Sequence, residues 1–236
     1  MANDICATTY WYQDSTPPRD FFRMPPFPQL LPGSELRADE CNLKLPNSGN
    51  WWLCGPFAEP DDNAFLNALP VEKGRIDPDE VFDGGYPENS LYLGERAVAL
   101  GRNQARWVKA DSLHGFIDFN HFFRCAARGV TITEPAVAIA RGVLHAPQSC
   151  RAHITLSWDD RAALTVNGEI FDLGQHVHFR TRTIEVPLNR GANEIAVKLT
   201  NRYGTTNGAW AFAFRCMRDD GEELWPEASN ISAQHE

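Results

Sequence analysis

The chain has 236 residues, of which 22 are Lys or Arg and 31 are Asp or Glu, giving a formal net charge of −9. That balance argues against a nucleic-acid partner, because phosphate affinity comes from clustered Lys and Arg; no run of 18 apolar residues exists, so no helix can span a membrane. With 43% hydrophobic and 22% charged residues, the composition is that of an acidic, globular chain long enough to bury a substantial core without disulfides or metals.

In chain order, Ile5–Gln13 (ICATTYWYQ) is rich in β-branched and aromatic residues and reads as a strand. The following DSTPPRDFFRMPPFPQLLPG holds six prolines, which excludes a helix or a central strand. Residues 1–33 are therefore expected to be a strand and Pro-rich arm that needs an apolar host, with Tyr10, Trp11, Tyr12, Phe21, Phe22 and Phe27 as assembly residues. Residues 34–50 read as a linker. Residues 51–225 read as a second unit, and 226–236 as a flexible tail.

Within the second unit, Asp61–Leu69 is expected to hold a short helix capped by Asp61 or Asp62. Pro70–Gly101 is rich in Gly, Pro, Asp and Glu and reads as a long surface loop. Phe116–Phe119 and Phe122–Phe123 mark buried contacts around a helical turn. From Val130 the pattern is β: Pro135–His145 and Arg151–Trp158 alternate with period two. Asn167-Gly168, between Ala162–Val166 and Glu169–Phe171, signals a type I′ hairpin. Arg182–Leu188, Glu194–Thr200 and Trp210–Met217 complete the strands, so the expected class is mostly β, an antiparallel sandwich.

The six cysteines, Cys6, Cys41, Cys54, Cys125, Cys150 and Cys216, form no CxxC pair and read as small buried hydrophobes. Met1–Ile5 (MANDI) has no basic flank or apolar core, so the expected location is cytoplasmic, with export beside a partner left open. GxSxG, HExxH, GxxxxGK[ST] and GxGxxG are absent. His176 and His178, spaced i, i+2, share a face if extended, but nothing at a suitable spacing completes a metal site. Asp159-Asp160 is the most visible acidic pair. Strand neighbours point to opposite faces and would not flank one glycosidic bond. The pair reads as a turn before Ala162–Val166 or, alternatively, as a calcium or sugar-hydroxyl ligand at the sandwich rim.

Two resemblances follow from particular strings. Trp52–Phe57, Pro70-Val71-Glu72, Arg106-Trp107, Leu156–Asp160, Val166-Asn167-Gly168, Leu188–Asn193, Val197–Asn201 and Trp210-Ala211-Phe212 together resemble galactose-binding-like jelly-roll domains appended to carbohydrate-active enzymes. Thr9–Gln13 with Pro25–Pro32 resembles the end of the catalytic domain of glycoside hydrolase family 172. The second resemblance implies a double jelly roll acting on furanosides, assembled as a trimer, whose paired catalytic carboxylates lie upstream of these strings and are therefore missing here.

The reading that results is a non-catalytic jelly-roll subunit or fragment of a furanoside-active glycoside hydrolase, supporting assembly and carbohydrate binding. The alternatives are a glycoside hydrolase in its own right, of arabinofuranosidase or fructofuranosidase type, and a free-standing carbohydrate-binding module. Expected partners are a catalytic glycoside hydrolase chain, or a second copy, through residues 5–32, and a carbohydrate. No catalytic residue and no cofactor is assigned, a structural calcium being the alternative. Sugars offer apolar faces to aromatic rings and hydroxyls to polar groups. The candidate carbohydrate contacts are therefore the loop residues Tyr86, Tyr92, Asn201, Tyr203 and Asn207, while Trp107, Trp158 and Trp210 read as core and Trp51 and Trp225 as further aromatic candidates.

Overall fold

The computed structural model describes residues 49–58, 64–67, 69–85, 104–112, 115–123, 136–201 and 210–229. The arm, Asp61 and Asp62, and most of the linker lie outside them. The strands are β1 (Asn50–Ala58), β2 (Val81–Asp83), β3 (Gln104–Asp111), β4 (Phe116–Asp118), β5 (Ala136–Ala146), β6 (Cys150–Val166), β7 (Glu169–Leu188), β8 (Gly191–Asn201), β9 (Ala211–Arg218) and β10 (Glu223–Leu224). One short helix, α1 (Phe119–Phe123), follows β4 and is the helical turn expected from the phenylalanines.

All described pairings are antiparallel, and the hydrogen-bonded path runs β10-β9-β6-β8-β5-β1-β3-β2, with β4 on β9 and β7 on β6. β1 and β9 are four steps apart on this path, about 19 Å in a flat sheet. Yet Trp51 of β1 stacks edge-on against Phe212 and Phe214 of β9 at 5.4 and 5.2 Å. The ladder therefore folds over on itself into a sandwich, and Trp51, Leu53, Ile154, Leu156, Trp158, Leu164, Val197 and Leu199 fill the space between its layers.

The fold-over lies inside β6. The expected pair of strands, 151–158 and 162–166, is one 17-residue strand. β7 stays on one edge of β6 throughout, while the other edge pairs with β9 over Ala152–Asp159 and then with β8 over Arg161–Val166. Asp159-Asp160 thus sits within a strand and not in a turn. Pairing of Asp159 to Ala211 of β9 and of Asp160 to His176 of β7 holds the backbone extended where the local sequence suggested a break.

Because the hairpin folds back, its two ends meet. Asn167 (φ 49°) and Gly168 (φ 86°) make the expected left-handed two-residue turn. The Asn167 Nδ2 donates to Asn193 Oδ1 at 2.8 Å. Asn193 is fully buried; its Nδ2 donates to the Asn189, Gly191 and Leu144 carbonyls, and its Oδ1 accepts from Asn189 N–H. One side chain thereby closes the end of the sandwich by joining three segments of chain.

The outer face of the large layer is also covered. Val71 and Ile76, expected in a surface loop, are buried with Phe65 against Cys54, Trp107, Val137 and Ile139. This is why β5 is buried on both faces. The covering segment is held by two buried cations. Lys198 Nζ donates to the Phe65 and Asn67 carbonyls, both at 2.8 Å, and pairs with Glu72. Arg141 donates to the Val71 and Gly74 carbonyls. Of the short helix expected over 61–69, residues 61–63 and 68 lie outside the described residues; Ala64 is in a 3-10 turn, and a one-turn 3-10 helix follows at Pro70–Glu72. At the C-terminal end, packing continues past the expected boundary at 225: Glu227 bridges to Val143, and Asn50 N–H donates to the Pro226 carbonyl.

Cys54 and Cys216 are buried free thiols and Cys150 is half-buried and free. Burial, with Glu80 as a smaller contributor, pushes Cys54 up to about 12; burial, with Cys150 second, pushes Cys216 up to about 12.

Two outcomes follow. Asn193→Ala strands several buried polar groups at once and is expected to cost about 3 kcal/mol, read from the urea midpoint; a loss below about 1 kcal/mol would contradict the clasp. Each buried thiol has a folded pKa above its unfolded value, so its stabilisation is complete below the unfolded value of 9.0 and is lost as pH rises from there towards about 12. Chemical melts at pH 8 and pH 10.5 should show lower stability at the higher pH, and Cys54→Ala/Cys216→Ala should flatten that slope.

Candidate functional site

The strongest concentration of buried polar groups lies where β6 passes from one layer to the other. The β6–β9 ladder ends at Asp159↔Ala211, and the β6–β8 ladder begins at Arg161↔Thr200. β8 ends at Asn201 and β9 starts at Ala211, so the strands flanking this edge of β6 part company at Asp159-Asp160. The register Arg161↔Thr200 puts Asn201 beside Asp160, one step beyond the ladder. On the other edge β7 is irregular: Trp158 faces Arg180 but Asp160 faces His176, so β7 has extra residues here. Irregularities of this kind re-aim side chains and recur next to functional sites.

Asp159 is 2% exposed, Asp160 1% and Asn201 0%; Thr200 is also fully buried. Among the described residues, neither amide atom of Asn201 and not the Thr200 Oγ1 has a hydrogen-bond partner. Such groups each cost about 1–3 kcal/mol when left unpaired, and most buried polar groups in proteins are paired. The walls are rigid by comparison. Trp158 Nε1 donates to the Gly174 carbonyl, and Trp210 Nε1 to the Leu199 carbonyl. Trp210 also packs against Phe119 and Phe123. His176 lies 5.8 Å from the Trp158 ring. Desolvation, and then Arg180, hold its imidazole below its ordinary pKa. The Asp159-Asp160 peptide bond is cis, as is Gly55-Pro56.

Of the five expected carbohydrate contacts, Asn201 is at this rim. Tyr86, Tyr92, Tyr203 and Asn207 lie outside the described residues, as do Tyr10, Trp11, Tyr12, Phe21, Phe22 and Phe27. Trp107, Trp158 and Trp210 are core, as expected; Trp51 is also wholly buried and offers no ring to a ligand, while Trp225 is half-buried. The fold joins two candidates that the sequence kept apart, Asp159-Asp160 and Asn201. Thr200 and His176 had no sequence signal tying them to the rim, because their proximity comes from cross-strand register. Among the described residues no group of three or more His, Cys, Asp or Glu side chains is placed to hold a metal ion. The oxygen donors at the rim are two carboxylates, a carboxamide and a hydroxyl.

No protein-family model matches the chain, and no curated protein matches it. Among solved structures, the chain is similar to a PA14 sugar-binding domain from an RTX adhesin, at 15% identity and a TM-score of 0.38, over 75% of this chain and 96% of that one. It is similar to a β-glucosidase from Kluyveromyces marxianus at 11% identity and a TM-score of 0.36, over 70% of this chain and 14% of that one. It is similar to the PA14 domain of the MpAFP antifreeze protein at 14% identity and a TM-score of 0.33, over 39% of this chain and 48% of that one. The chain thus spans less than two thirds of the last two.

If the Asn201 amide is unpaired in the free protein, an apolar residue of similar volume removes a cost and no bond. Asn201→Leu is expected to raise the free protein's stability by about 1–2 kcal/mol. Destabilisation in the same urea titration would mean that the amide is paired.

Proposed function

We propose that this chain is a non-catalytic β-sandwich that binds carbohydrate at the Asp159–Asp160–Asn201 rim and serves as a subunit or part of a furanoside-active glycoside hydrolase. The observation that carries the binding reading is the fully buried Asn201 carboxamide, with donor and acceptor both unused among the described residues. A carboxamide supplies two N–H donors and a carbonyl acceptor, and the neighbouring carboxylates accept strongly. Sugar hydroxyls both donate and accept, so adjacent hydroxyls of one ring match this set. A purely apolar ligand would leave it unused.

The same oxygens suit calcium, a hard cation that takes carboxylate and carboxamide ligands. Asp160 and the Asn201 Oδ1, neighbours in the β6–β8 register, would contribute to holding it. The enzyme-subunit part of the proposal rests on the β-type and Pro-rich sequence of residues 5–32, whose aromatic residues call for a host surface, and on the family resemblance of that string.

Affinity electrophoresis of the full chain on arabinan, arabinogalactan and fructan, with calcium and with EDTA, tests the rim. The expected result is retardation on at least one glycan that is lost in Asn201→Leu and in Asp160→Asn, both checked for folding by thermal melt. Retardation that EDTA abolishes assigns the contact through calcium; retardation that survives EDTA assigns it to the side chains directly. No retardation on any glycan, or retardation indifferent to both substitutions, overturns the proposal.

A further inference from the structure

A second cleft lies at the opposite end of the large layer. There the segment after β10 crosses the start of β1, and the residues between them enclose about 230 Å³. Its lining includes Trp225, Lys109, Asn50, Glu227 and Ser229. The walls are held by backbone bonds from Asn50 N–H to the Pro226 carbonyl and, mutually, between Val143 and Glu227, and by the Asn50 side chain, whose Oδ1 accepts from Ala228 N–H. Gly49, at φ +75°, completes the wall; a Cβ there would lie 2.4 Å from the Pro226 carbonyl oxygen, so only glycine permits this approach.

We propose that this cleft is a second carbohydrate site, taking a single neutral sugar ring. Three features select that class. Trp225 is half-buried where Trp51, Trp107, Trp158 and Trp210 are buried, so it can offer indole surface to the C–H face of a sugar. Lys109 and Glu227 are exposed and of opposite sign, so the cleft has no net charge to favour an anionic or cationic ligand, while the Asn50 Nδ2 adds donors and the Ser229 hydroxyl an acceptor. Finally, the volume falls below the ~300–1,000 Å³ of sites for drug-sized ligands, which fits one ring and not an oligosaccharide. The site is separate from the rim. β5 meets Asn201 at Ala136 and Glu227 at Val143, seven residues apart, or roughly 23 Å along the strand.

The test uses the full chain labelled with nitrogen-15, with the Trp225 indole resonance identified by Trp225→Phe. Methyl β-D-glucopyranoside and methyl α-L-arabinofuranoside are the neutral probes, and glucuronate is the charged one. The proposal expects a saturable shift of the Trp225 resonance with at least one neutral glycoside, undiminished in Asn201→Leu. It also expects at least tenfold weaker binding in Trp225→Ala, read by saturation transfer to the glycoside. Lys109→Ala, an exposed substitution that leaves the core untouched, should weaken binding in the same direction should Trp225→Ala fail to fold. Absence of any shift with both neutral glycosides, a shift with glucuronate alone, or a shift that disappears in Asn201→Leu would overturn it. Since the two sites are tested by different residues, failure here leaves the rim reading intact, and the reverse also holds.

Discussion

One strand belongs to both layers of this protein. β6 keeps β7 along one edge for its whole length and changes neighbours on the other edge at Asp159-Asp160, from β9 to β8. Backbone groups must be paired wherever they are buried, so a single hydrogen-bonded hairpin shared by two layers is an economical way to join them. The edge-on contact of Trp51 with Phe212 and Phe214 across the two layers depends on that crossing. The crossing also separates the β8 and β9 ladders, and at that point Asp159, Asp160 and Asn201 lie at neighbouring, buried register positions.

Two buried asparagines show what separates a structural polar group from a candidate functional one. Asn193 and Asn201 stand near opposite ends of β8 and both are fully buried. Asn193 spends its whole amide on the turns around Asn167, Asn189 and Gly191. Asn201 spends none of its amide among the described residues. A satisfied buried amide fixes chain geometry, whereas an unsatisfied one lowers stability. The contrast assigns the first to closing the sandwich, and the second is the group on which the proposed carbohydrate contact rests.

The buried cations follow the logic of Asn193. Lys198 and Arg141 would be costly inside a protein without partners. Their charge is met by Glu72 and Glu194 and their N–H groups by carbonyls of the 65–74 segment. That segment gives the large layer a second apolar cover. It also explains why β5 carries Val137, Ile139 and Val143 on the face away from the main core.

Local chemistry by itself determined much of this protein. The Asn167-Gly168 turn was legible because few residues tolerate left-handed dihedrals, the β-strands because period-two burial suits branched residues, and the core role of Trp107, Trp158 and Trp210 because apolar strand positions face inward. Only the tertiary structure decided the rest. Asp159-Asp160 reads locally as a break, and pairing to β9 and β7 overrode that preference with hydrogen bonds from distant parts of the chain. Val71 and Ile76 sit among loop-forming residues, and their burial depends on a sheet face formed by β5, β3 and β1. That Asp160 lies beside Asn201, 41 positions away, is a matter of cross-strand register, and register is fixed by how whole strands align, which no short stretch of sequence contains.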